Sequence, residues 1–200
     1  PYLYWAGSAS TTSGGSTVVD AQVTLNGSSV SANRTFIGTY TSDGTAFRYF
    51  GAVADVTSRV TGNGSYSFGG LTVNTGTPHC ASEAVLAGWA LVVIYQGNAE
   101  RLRAINIFDG LQFFRGSALA LTPDGFRTPQ SNIDGRIAVI TWEGDPQNSG
   151  AMNGFSESLR FNGTAIDDGL VPAGSSPTNQ QFDGTISSTG STTSYGVDVD

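Results

Sequence analysis

Apolar and polar residues alternate with a period of two over much of this 200-residue chain, the pattern of strands that bury one face. The clearest case is Ala21-Gln22-Val23-Thr24-Leu25, then Asn26-Gly27, then Ser28-Ser29-Val30-Ser31-Ala32. Asn and Gly both tolerate positive φ, so the spacing predicts a tight β-hairpin. Leu159-Arg160-Phe161, Asn162-Gly163 and Thr164-Ala165-Ile166 repeat it. Two matching hairpins suggest two related edges of one β architecture, too little for a solenoid. Further strands are predicted at the two ends of the chain and within residues 65–68, 71–73, 85–95, 102–108, 117–121 and 136–142. Leu91-Val92-Val93-Ile94 is apolar on both faces and reads as a central strand, whereas Arg103, Asn106 and Asp109 place the next strand nearer solvent. Only Val53, Val56 and Val60 carry a helical period, predicting one helical turn that caps the structure.

Many short strands punctuated by Gly, Asn and Pro predict an all-β, antiparallel β-sandwich of jelly-roll type with at most one or two short helical turns. No composition break marks a linker, so residues 1–200 read as one domain, with end strands that look cut or engaged. The 27 glycines and a charged fraction of 12% fit this class, and 38% hydrophobic residues supply a core. A net charge of −7 argues against nucleic acid and anionic membrane surfaces as partners. All nine basic residues are arginine, which removes Schiff-base and Walker chemistry and the side-chain amine that an isopeptide cross-link needs. The longest nearly apolar run, residues 84–95, is too short to insert across a bilayer as a helix.

Chemistry-bearing residues are few. His79 is the only histidine and Cys80 the only cysteine. A multi-histidine metal site and an intrachain disulfide are therefore excluded, and adjacent residues on an extended chain cannot face each other as a dyad. His79 is expected in a loop after Pro78, and Cys80 as a small buried or inert residue. Glu143, Asp145 and Asn148, with Ser149, crowd oxygens into one loop that could hold calcium if it folds back; Asp167-Asp168 is a weaker candidate. Glu143 with Asp109 or Asp145 is the one pair a glycoside hydrolase could use, although turn chemistry explains these carboxylates without function. Trp89, Trp142 and Tyr95 could form a stacking platform for glycans, against a core role that is the stronger expectation for Trp89. Sequons at Asn26, Asn33, Asn63 and Asn162 arise freely in so Ser/Thr-rich a chain.

Six stretches occur in order: Tyr2-Leu3-Tyr4-Trp5-Ala6-Gly7, Val23-Thr24-Leu25-Asn26-Gly27, Ala54-Asp55-Val56-Thr57, Gly88-Trp89-Ala90-Leu91-Val92-Val93-Ile94-Tyr95, Ile107-Phe108-Asp109-Gly110 and Trp142-Glu143-Gly144-Asp145. Together they resemble a β-rich module of large bacterial secreted and surface-anchored adhesin-like proteins. The resemblance implies an extracellular or cell-surface module without known catalysis; it brings no ligand and no site residues. Such modules have chain before the first strand and further strands after the last. The expectation is therefore a non-catalytic structural or adhesive module, self-associating or joined to other surface-protein domains. Strand addition would involve the aromatic strand Tyr2, Leu3, Tyr4 and Trp5, and the alternative is a carbohydrate-binding, lectin-like domain.

Overall fold

The computed structural model describes residues 1–99, 103–114, 116–128, 130–131, 135–142, 158–166 and 197–199. The chain divides into two compact units, Pro1–Gly135 and Arg136–Asp200, each built from antiparallel strands. Among the described residues the one helical element is a single 3-10 turn, Cys80–Ser82.

In the first unit, β1 (Tyr2–Ser8), β4 (Arg34–Ser42), β5 (Thr45–Asp55) and β7 (Ala87–Val92) form a sheet in the order β4-β5-β1-β7. A second sheet, β3-β2-β6, comprises β2 (Gln22–Leu25), β3 (Ser28–Ser31) and the short β6 (Phe68–Gly69). The predicted hairpin joins β2 to β3, with Asn26 at φ 49° and Gly27 at φ 73°. An unpredicted hairpin joins β4 to β5 through Asp43-Gly44, which has the same two positive φ values in succession, 49° and 76°.

Register decides which side chains meet. Leu3, Trp5 and Gly7 of β1 lie opposite Ala54, Ala52 and Phe50 of β5, so all six share one face of the four-stranded sheet. That face packs on Val23, Leu25 and Val30 of the second sheet, making a sandwich core. Trp5 is 0% exposed, and its indole N–H donates to the Asp20 carbonyl at 2.8 Å, which removes the cost of burying it. A Cβ at Gly7 would overlap Val73 Cγ1 and meet the Phe50 ring at 3.0 Å, so the close approach requires glycine.

Several expectations change. Residues 85–95 do not form a central strand: β7 ends at Val92 and pairs only with β1, at the rim of the sheet. The interior strands are β1 and β5, whose long pairings saturate both of their edges. No described part of 71–73, 102–108 or 117–121 is a strand. The helical turn predicted over 53–60 is strand as far as Asp55, and only then does the chain turn, with the Arg59 and Val60 N–H groups donating to the Val56 carbonyl. The valine period was a strand alternation followed by a turn.

In the second unit the predicted hairpin is present: β9 (Leu159–Phe161) and β10 (Thr164–Ile166) flank Asn162 and Gly163, at φ 48° and 83°. β8 (Ile140–Trp142) pairs with β11 (Val197–Val199), Trp142 lying opposite Val197. The described strands define antiparallel sheets, with a sandwich in the first unit.

Candidate functional site

The second face of the four-stranded sheet carries most of the polar chemistry in the first unit. Arg34 and Tyr4 both lie opposite Val53, so they flank one row of this face, followed by rows through Gly51 and Tyr49. Residues 109–113 cross these rows as an extended strap whose alternate side chains face the sheet. The Tyr4 hydroxyl donates to Asp109 Oδ1 at 2.5 Å, and the Arg34 guanidinium pairs with Asp109 Oδ2. Leu111 fills the space left by Gly38 and Gly51, and Phe113 stacks on Tyr40 and Tyr49, with ring centroids 4.4 and 5.7 Å apart. Burial, and then the bond to the Asp109 carboxylate, push the Tyr4 hydroxyl well above its ordinary pKa. It therefore stays a donor. Both oxygens of Asp109 are hydrogen-bonded, one to Tyr4 and one to Arg34, and so hold the strap on the sheet.

At the end of this face lies His79, 1% exposed. It lies in the turn after Pro78, where a loop is expected, with its side chain buried. Its ring packs edge-on against Phe47 and Tyr49, Nε2 lies 3.0 Å from the Arg48 carbonyl, and Nδ1 lies 3.3 Å from Asn74 Nδ2. A carbonyl only accepts, so Nε2 carries the proton and Nδ1 accepts from the Asn74 amide. Cys80, expected to be small and buried or inert, is exposed. Beside His79 is an open pocket of about 310 Å³, bounded by the residues that follow β1, by β5 and by the chain around Pro78.

Of the predicted aromatics, Trp89 and Tyr95 belong to the first unit and Trp142 to the second. Trp89, 37% exposed, stacks on Phe68 with ring centroids 5.2 Å apart, so Phe68 covers one of its faces. Tyr95 is 72% exposed, and Trp142 sits half-buried on β8 of the second unit. Glu143, Asp145 and Asn148, proposed as calcium ligands, lie outside the described residues, as does Asp167-Asp168. Among the described residues no three His, Cys, Asp or Glu side chains converge as a metal site.

The strand Tyr2 to Trp5 lies in the middle of its sheet. Leu3 and Trp5 are core residues, and both edges of β1 are taken, by β5 and β7. In this four-stranded sheet the edges without a partner among the described residues belong to β4 and β7. Natural edges are guarded by lysine, proline, inward charges or a covering segment. β7 contains no charge and no proline, and β4 has only Arg34 at its start. β7 runs on into Val93, Ile94 and Tyr95, all exposed.

These features define an antiparallel β-sandwich whose four-stranded sheet has, among the described residues, no strand paired at either outer edge. Compared with known families, curated proteins and solved structures, the chain matches none.

Proposed function

We propose that this protein is a non-catalytic structural or adhesive module of the cell surface or extracellular space that joins copies of itself by strand addition. The observation that carries this reading is the pair of nearly uncharged edges, β4 and β7, at opposite sides of one four-stranded sheet and without a strand partner among the described residues. Pairing β7 of one copy with β4 of the next satisfies backbone groups along a strand. The contact is heterologous, and repeated without closure it yields a filament. The lysine-free composition, rich in Gly, Ser and Thr, supports a role outside the cell. Joining through these edges replaces the expected use of the Tyr2 to Trp5 strand, which has no edge to offer.

Light scattering and electron microscopy of the intact chain test the proposal. Mass should rise with concentration and filaments should form, while Ala87→Lys on β7 or Thr39→Lys on β4, both at exposed positions, should leave monomers. An intact chain that stays monomeric at high concentration overturns it.

A further inference from the structure

We propose that the pocket beside His79 binds a hydroxylated carboxylate the size of one sugar ring, namely a uronic-acid residue of an acidic polysaccharide. The inference does not use the sheet edges and stands apart from self-association. It begins with Arg48, a partly buried residue in the middle of β5. Its Nη1 donates to Thr17 Oγ1 at 3.0 Å, and it is paired with no carboxylate among the described residues. A guanidinium has five N–H donors, so among the described residues the bond to Thr17 leaves most of its donor capacity unused and its charge unpaired. Partial burial of an unpaired cation costs free energy, in a chain that carries 16 acidic residues with which it could have been paired.

The pocket gives that charge a use. Arg48 lines it together with Ser10, Thr11 and Thr77, whose hydroxyls are at exposed positions, while Pro78 and His79 supply a less polar wall. No acidic residue lines it. A guanidinium fork matches a carboxylate in two parallel hydrogen bonds, and hydroxyls both donate to and accept from sugar hydroxyls. The volume of about 310 Å³ is at the small end for ligand sites, enough for one ring and little more. One positive charge matches a monoanion. A phosphate dianion would be half-compensated at best by the single guanidinium. The wall is rigid, because His79 is fixed by hydrogen bonds at both ring nitrogens and by two aromatic neighbours, which lowers the ordering cost of binding.

The test titrates the full chain with galacturonic acid and, in parallel, with galactose, following backbone amide shifts by NMR. Saturable shifts should centre on residues 9–11 and 74–79 with galacturonate, and galactose should bind at least roughly tenfold more weakly. Arg48→Gln should abolish these shifts. Thr77→Val, a change at an exposed position, should weaken binding several-fold without disturbing the ring-shifted signals of the His79 cluster, which separates loss of a contact from loss of the fold. Trigalacturonate that binds as well as the monomer identifies the polymer as the source; binding confined to the monomer restricts the site to free sugar acids and overturns the polysaccharide assignment. Equal binding of galactose, shifts centred elsewhere, or no saturation overturns the site.

Discussion

Gly7 shows how a single missing side chain shapes the sandwich. Val73 and the Phe50 ring occupy the space a Cβ would need, so Gly7→Ala should cost about 2–3 kcal/mol through overpacking, read as a lower denaturant midpoint with unchanged slope. Tyr4 makes a different contribution. Because its hydroxyl pKa is raised in the folded state, the stabilisation is fully present below the unfolded value of about 10 and is lost as pH rises beyond it. Tyr4→Phe should therefore cost about 1–2 kcal/mol at neutral pH and flatten the alkaline fall in stability, measured by urea unfolding across pH. Asp55 runs the opposite way: the Thr57 hydroxyl at 2.6 Å and the Thr57 N–H at 2.9 Å hold its carboxyl below the ordinary range. The stability it adds is present above the unfolded pKa and is lost as pH falls through the folded one. Thr57→Val should move the Asp55 carboxyl titration upward in carbon-detected NMR; an unmoved titration would discard this account.

Among the elements, hairpins were legible and the strap was not. Asn26-Gly27 and Asn162-Gly163 announce themselves because a two-residue turn with two positive φ values admits few residue types. Asp43-Gly44 carries the same signal, and attention to Asp-Gly between alternating residues would have found the β4–β5 hairpin. Residues 109–113 give no such mark. Their alternation of Asp109, Leu111 and Phe113 resembles a strand, yet they hold to the sheet by side chains and not by a backbone ladder. Leu111→Ala should loosen the strap at a cost of about 2 kcal/mol, with faster amide exchange confined to residues 109–114. Uniform acceleration across β1 and β5 would show instead that the strap is integral to the sandwich.

For the whole molecule, the alternation of side chains and the turn dipeptides determined the all-β class and two of the hairpins, because these depend on local conformation and on sums over residues. Strand order was decided only by tertiary structure. Residues 91–94 are apolar on both faces and still lie at or beyond a sheet rim, whereas Tyr2–Ser8 is flanked on both sides; hydrophobicity reports burial of faces, and an edge is a matter of backbone pairing that no side chain encodes. The same holds for the sites. His79 was visible as the only imidazole, but its burial, and the placing of Arg48 beside the hydroxyls of Ser10, Thr11 and Thr77, arise from chain segments distant in sequence. Their encounter is fixed by register between β1 and β5 and by the path of the chain around Pro78, long-range packing that a local pattern does not carry.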